Sequence, residues 1–367
     1  MSDDALNALE QALMLFGNAP TLAEMPRRGL AEKGIAGPTA AHVIEEVHTP
    51  LNLAYVTFTT GSSAFQNIVG VTQEEIPDRC TVAREIFARL GVGQGARMLV
   101  TYPPLVNVFS AEALRQCGIE WGFLARSSRD ALLVAACREQ PRIILGESSF
   151  LRASLEQAAT LGLAAHLPRS CLLVTAGTPL DEELLPVARR FGYAVHDLYG
   201  CQEFGWLTLD GRALREDIAL VASPRGPAYR ELVAGGLPTG DSFLVSESGH
   251  VCDREGGIIT YRRERTYPEY EVVVTHTTAT AAATVERAAR SILRIKGRVV
   301  KVAPGLVTGA AATRLELVPG TPGAPPRAEP PIVIEGPVAT RLFDALLRAQ
   351  MAFQSHAKTD PAWTKRR

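Results

Sequence analysis

The chain has 367 residues, with 38 Lys and Arg against 39 Asp and Glu, and a formal net charge of -1. Its 46% hydrophobic content is enough for a large core, in two domains or in one large and one small. Charge this close to balance gives no electrostatic footing for nucleic acid, and no apolar run reaches the roughly 18 residues of a membrane span. The N-terminus opens on Asp3 and Asp4 instead of a basic, then apolar, leader, so a cytoplasmic location is expected. The cysteines (Cys80, Cys117, Cys137, Cys171, Cys201, Cys252) form no CxxC pair, and several sit in apolar runs, so they read as buried, reduced thiols. The seven histidines show no HExxH or similar spacing, which argues against a zinc site built by the protein.

In chain order, residues 5–16 have helical apolar spacing, with Leu6, Leu9, Leu13 and Phe16 on one face. Residues 55–60 read as a strand running into a Gly/Ser turn. Thr72-Gln73-Glu74-Glu75 is a capping box that opens a helix to about Leu90, ended by Gly91. Strands are then expected at 97–101, 119–124, 142–145, 171–175 and 194–198. Helices are expected between them at 108–117, 129–139, 149–161 and 181–191. Apolar strands alternating with helices of about ten residues indicate a parallel or mixed sheet covered on both faces, with ligands beyond the carboxyl ends of the strands. From about Trp206 to Val274 the runs shorten and alternate, as at 242–246 and 257–262, which favours antiparallel β structure. Residues 281–290 suggest a short helix, 293–302 a basic strand, 319–331 a Pro/Gly-rich linker and 338–353 a last amphipathic helix. There is no internal repeat.

Three segments suggest chemistry. Thr59-Thr60-Gly61-Ser62-Ser63 follows a strand, and its hydroxyls and glycine amide suit phosphate oxygens, although it lacks the Gly-Lys-Ser/Thr of a Walker loop. An ordinary strand-to-turn junction explains it equally well. Val174-Thr175-Ala176-Gly177-Thr178-Pro179, followed by Asp181-Glu182-Glu183, is a strand, a glycine turn and a helix start; a plain βα loop accounts for that too. His196-Asp197-Leu198-Tyr199-Gly200-Cys201-Gln202-Glu203-Phe204-Gly205 ends a strand in an aromatic, a glycine and an acid. Such a carboxylate suits Mg²⁺ on a triphosphate, and the aromatic suits a flat base.

In this order the three segments resemble those of the adenylate-forming acyl ligases, in the phenylacetate–CoA ligase branch. That family carries a Ser/Thr/Gly loop, a GAEPW-like turn before an acidic helix, and a D-x-YG-x-[ST]-E segment. Gly91-Val92-Gly93-Gln94-Gly95-Ala96-Arg97 is similar to its GVxPGDR turn, and the likeness runs from roughly Leu53 to Val302. It implies an α/β (α+β) fold. A large adenylate-forming domain, 1–298, has mixed sheets and helices and comprises a helical lead-in 1–52, an α/β core 53–205 and a β-rich part 206–298. A short C-terminal α+β domain follows at 299–367.

The resemblance also implies ATP-dependent activation of a carboxylic acid to an acyl-adenylate, then transfer to coenzyme A or another thiol or amine. Two alternatives stay open: loading of an acyl carrier protein or a protein cysteine, and a non-catalytic homologue that binds a nucleotide or an acid. By position, Thr60, Gly61, Ser62 and Ser63 would cradle the β- and γ-phosphates. Asp197, Leu198, Tyr199 and Gly200 would line the adenine, with Gly177, Thr178 and Pro179 on its other side. Glu203 would hold Mg²⁺ and, with Arg298 of the hinge-like Arg294-Ile295-Lys296-Gly297-Arg298, act in catalysis. The ribose acid would be Glu264, which fits the family's spacing to Gly297, or Asp241 of Thr239-Gly240-Asp241, which matches by letters. Tyr102, Phe109, Ala176 and Gly205 would border an apolar acid pocket, favouring an aromatic or short branched acid. A homodimer fits relatives of this branch. Ala64-Phe65-Gln66 stands where the family has Gly-Lys-Pro, Val299-Val300 replaces the acid pair after the hinge Arg, and the C-terminal part is short.

Overall fold

The computed structural model describes residues 2–15, 53–58, 68–223, 226–244, 264–265, 270–296, 300–319 and 331–357. In chain order these form α1 (Ser2–Leu15), β1 (Leu53–Phe58), β2 (Ile68–Thr72), a 3₁₀ turn (Gln73–Glu75), α2 (Ile76–Arg89), β3 (Arg97–Val100), α3 (Pro104–Phe109), α4 (Ala111–Gln116), β4 (Glu120–Phe123), α5 (Arg129–Glu139), β5 (Ile143–Gly146), α6 (Ser148–Thr160), β6 (Leu172–Thr175), α7 (Leu184–Arg190) and β7 (Ala194–Cys201). There follow β8 (Gly205–Leu209), β9 (Arg212–Ala213), β10 (Ile218–Ala222), β11 (Tyr229–Ala234), β12 (Leu237–Leu244), β13 (Glu264–Arg265), β14 (Tyr270–Thr277), α8 (Ala282–Lys296), β15 (Val300–Thr308), β16 (Arg314–Pro319), β17 (Ile332–Glu335) and α9 (Arg341–Ala357). The chain is thus α/β with mixed sheets, and none of the described helices is long and apolar enough to cross a membrane.

Two compact units divide the chain. The first takes residues 1–49, 94–105 and 118–196; the second takes 50–93, 106–117 and 197–367.

In the first unit β3 pairs in parallel with β4 on one side and β5 on the other, and β5 pairs in parallel with β6. Every residue of β5 and β6 is buried, the pattern of strands covered on both faces. Leu99, Leu133, Leu151, Leu163 and Leu173 form its core, with Leu6 of α1 packed among them. Helix α5 starts where Ser128 accepts a hydrogen bond from the Ala131 amide at 3.2 Å, and Gln140 ends it in a left-handed conformation.

In the second unit the sheets are antiparallel or mixed. They are β1–β2, β7–β8–β9, β10–β11–β12–β13, and β15–β14–β16–β17 with only the β14–β15 pair parallel. The expected capping box is present: the Glu75 carboxylate accepts the Thr72 amide at 2.9 Å and the Thr72 hydroxyl at 3.2 Å. Two expectations are corrected. The single helix expected over 108–117 is broken at Ser110, whose φ of 79° no helix admits and whose hydroxyl caps the Ala113 amide at 3.1 Å. The strand expected from Leu293 starts only at Val300, because α8 runs on to Lys296. Val285, Ala288 and Ala289 are buried at helical spacing, and that period outweighs the local β-like composition.

The last helix belongs to this unit's core. Leu342, Phe343, Leu346 and Leu347 are buried with Val272, Val285 and Leu315. The β11–β12 turn has both glycines at positive φ, and a Cβ on Gly235 would lie 2.2 Å from the Leu342 Cβ. The Phe343 amide donates to the Gly235 carbonyl at 3.1 Å.

Candidate functional site

The glycine turn after β6 lies in the first unit. Gly177 takes φ +88°, which a side chain would strain, and is exposed; Thr178 is half-buried, Pro179 exposed and Ala176 buried. Ser148, at the start of α6 and 1% exposed, pins this turn by donating to the Pro179 carbonyl at 3.2 Å and accepting the Asp181 amide at 2.8 Å. Asp181 accepts the Glu183 amide at 3.1 Å and binds Arg152 at 2.7 Å, which delays the helix expected from 181 until Leu184. Tyr102 is half-buried in the same unit.

Asp197, Leu198, Tyr199, Gly200, Glu203, Gly205, Phe109 and Asp241 lie in the second unit. Asp197, Leu198 and Tyr199 are buried. The Tyr-Gly pair is explained by the hairpin between β7 and β8. A Cβ on Gly200 would lie 2.4 Å from the Gly205 carbonyl oxygen and 2.8 Å from the Trp206 Cα, so only glycine lets the backbones approach. The Asp197 amide donates to the Asp210 carboxylate at 2.9 Å, closing the other end of the hairpin.

The Tyr199 hydroxyl donates to Asp241 Oδ2 at 2.8 Å, across 42 residues of sequence. Its ring meets Phe243 edge-on at 5.2 Å. Asp241 is half-buried on β12, opposite Arg265, and Glu264 of β13 stands opposite the neighbouring Ser242. The structure therefore brings Asp241 to the Tyr199 segment, and Glu264 lies on the adjacent strand. Glu203 is half-buried between buried Gln202 and Phe204. Phe109 is 2% exposed, stacked on Phe87 at 5.6 Å and edge-on to Trp206 at 5.2 Å, so its ring packs in the core. Thr60, Gly61, Ser62, Ser63 and Arg298 lie outside the described residues.

All five described cysteines read as inert. Burial lifts Cys80 and Cys117, pushes Cys137 up to about 11 and Cys171 up to about 12. Burial, then the charge of Glu203, also raises Cys201, which removes the thiolate a nucleophile needs at neutral pH. Cys252 lies outside the described residues.

Sequence reasoning missed the residues that hold these turns: Ser148, Arg79 and Arg215. Arg79 is 6% exposed and donates to the Val108 carbonyl at 2.9 Å and the Gln202 carbonyl at 2.9 Å. Arg215, paired with Asp217, donates to the Phe204 carbonyl at 2.6 Å. The one sequence signal was an arginine amid the apolar face of an amphipathic helix, at Arg79.

A half-buried carboxylate on a fixed turn suits Mg²⁺, which takes one or two carboxylates and fills its shell with phosphate oxygens and water. Among the described residues no cluster of three or more His, Cys, Asp or Glu forms a protein-built metal cage.

Comparison with known proteins gives the class and then the family. An "ACP-SH:acetate ligase" from Malonomonas rubra is 56% identical over 364 residues, covering 99% of this chain and all of that one. Identity of that extent makes this protein a ligase. Residues 210–354 match the model of the MadH C-terminal domain. The chain belongs to the ACP-SH:acetate ligase family.

Among solved structures, an open form of 2-hydroxyisobutyryl-CoA ligase is similar at TM-score 0.48 and 12% identity, over 66% of this chain and 64% of that one. The N-terminal domain of FACL13 from Mycobacterium tuberculosis is similar at TM-score 0.45 and 17% identity, over 58% and 60%. The chain thus spans under two thirds of these structures.

Proposed function

We propose that this protein activates a short carboxylic acid of acetate size with ATP and passes the acyl group to the thiol of a carrier protein. The carboxylate attacks the α-phosphate, giving acyl-adenylate and pyrophosphate; the thiol then displaces AMP, giving a thioester. The near full-length relative is named for acetate and ACP-SH, which favours a short acid over an aromatic one and a carrier protein over free coenzyme A.

The observation that carries the nucleotide reading is the Tyr199–Asp241 hydrogen bond. It joins the Tyr-Gly-x-x-Glu segment to Thr-Gly-Asp, two motifs the family resemblance assigns to one nucleotide. Asp241 is therefore our ribose acid in preference to Glu264. Within the second unit, Asp197, Leu198, Tyr199 and Gly200 line the base and Glu203 supports Mg²⁺. Bound Mg²⁺ supplies charge neutralisation on the polyphosphate. The protein's own part is alignment and placed charge, which is where the catalysis of such a step resides.

The test is pyrophosphate release with ATP, Mg²⁺ and a panel from acetate to aryl acids, with hydroxylamine to trap the adenylate. Acetate should give the highest kcat/KM and a hydroxamate, and adding a carrier protein should outperform coenzyme A as acceptor. Release with aryl acids alone, or none with any acid, would reject the proposal.

A further inference from the structure

The turn that carries Glu203 is held from both sides by groups the proposed chemistry does not use. Before it, the Gln202 carbonyl accepts Arg79 Nη2 at 2.9 Å, and the Gln202 side-chain oxygen accepts the Thr57 hydroxyl at 3.1 Å. After it, the Phe204 carbonyl accepts Arg215 Nη1 at 2.6 Å.

Thr57 is 2% exposed near the end of β1. Its oxygen also accepts Asn107 Nδ2 at 3.1 Å, while the Asn107 carbonyl accepts the Tyr55 hydroxyl at 2.7 Å. Arg79 Nη1 grips the next carbonyl, Val108, at 2.9 Å, and its guanidinium lies 5.9 Å from the Tyr55 ring centroid. The Glu75 carboxylate lies 4.0 Å from Arg79 Nη2, at the outer limit of an ion pair. The guanidinium therefore spends its donors on main chain. A hydroxyl between an amide donor and an amide acceptor has its single proton committed to Gln202, so the chain Asn107 to Thr57 to Gln202 runs in one direction. Within a buried network each such bond strengthens its neighbours.

We propose that Thr57, acting with Arg79 through Gln202, is a positioning residue that fixes the Glu203 turn relative to β1 and so sets how tightly the enzyme uses Mg²⁺-ATP. This rests on the reading of Glu203 as the magnesium acid. Thr57 touches neither nucleotide nor acid in this scheme; it acts only through the turn.

The experiment is a Mg²⁺ titration of pyrophosphate release, with acetate and ATP, on the full chain as wild type, Thr57→Val, Thr57→Ser and Glu203→Gln, with thermal unfolding of each. Thr57→Val keeps the shape and deletes the donor. It should raise the Mg²⁺ concentration for half-maximal rate about fivefold, the size of one lost hydrogen bond, with the KM for acetate unchanged. Thr57→Ser, which keeps the hydroxyl, should restore wild-type Mg²⁺ dependence. If Thr57→Val fails to fold, Gln202→Met removes the acceptor instead and is read in the same way. A folded variant whose Mg²⁺ dependence matches wild type, while Glu203→Gln is inactive, overturns the positioning role and leaves the magnesium reading intact. Wild-type turnover by Glu203→Gln overturns that reading, and the inference with it.

Discussion

The parallel strands of the first unit and the Glu203 turn of the second are held by different forces. All residues of β5 and β6 are buried, and the strands are held by leucines and isoleucines packed on both faces. The Glu203 turn is held by directed polar bonds onto its main chain, from Arg79, 123 residues away in sequence, and from Arg215. Apolar burial tolerates substitution as long as volume is kept; a hydrogen bond from a buried guanidinium to one carbonyl does not. The first arrangement makes a stable scaffold, and the second fixes one side chain in one place.

Four variants set the two regions against each other. Glu203→Gln should lose about 100- to 1,000-fold in pyrophosphate release, as for removal of a group that stabilises developing charge, with little change in thermal unfolding. Turnover unchanged would show that the rigid turn serves some other end. Leu145→Ala, at a fully buried position of β5, should do the opposite. We expect about 2–5 kcal/mol of lost stability in urea unfolding, with wild-type Mg²⁺ dependence in the folded protein. A shift in that dependence would mean the two regions are not separable.

Gly200→Ala should be smaller, about 1–3 kcal/mol, because the new methyl meets backbone at Gly205 and Trp206. A neutral result in the same urea titration would mean the hairpin yields. Cys201→Ser should cost less than about 1 kcal/mol and leave the rate within about twofold, because the raised thiol is no nucleophile. A large loss of activity in the folded variant would overturn that.

The thiols of the first unit add a pH test. Cys171, held up to about 12, keeps its proton in the fold at a pH where the unfolded chain, near 9, loses it. Stability from this source is complete below pH 9 and falls as pH rises towards 12. The urea midpoint should therefore be flat from pH 6 to 8.5 and decline above, and a midpoint that rises over that upper range would contradict the sign.

Legibility in the sequence follows the same division. Helix α5 matched its expected bounds, and the strands of the first unit were placed within a residue or two, because their burial writes itself as periodic apolar letters. The break at Ser110 was not legible, since a positive φ at a serine has no local signature. The run of α8 past Arg290 was obscured by β-favouring Ile292 and Ile295 and by the valines that follow. In the candidate site, Tyr199, Gly200 and Glu203 stood out as a motif. The pairing of Tyr199 with Asp241 did not, because it depends on how β12 registers against its neighbours, and distance along the chain pointed to Glu264 instead. Arg79 and Ser148 were missed for a simpler reason: what they bind is backbone, and a carbonyl partner leaves no letter.

The seating of α9 against the Gly235–Gly236 turn has a consequence for biosynthesis. Every segment of the first unit has been made once residue 196 is translated. The second unit combines β1, near the start, with a helix that ends at Ala357, and Leu342 and Phe343 close its core. On the ribosome the first unit can fold while translation continues, whereas the second must wait for α9 with its apolar strands uncovered. We expect the need for a chaperone to be greatest between the synthesis of residue 196 and that of α9.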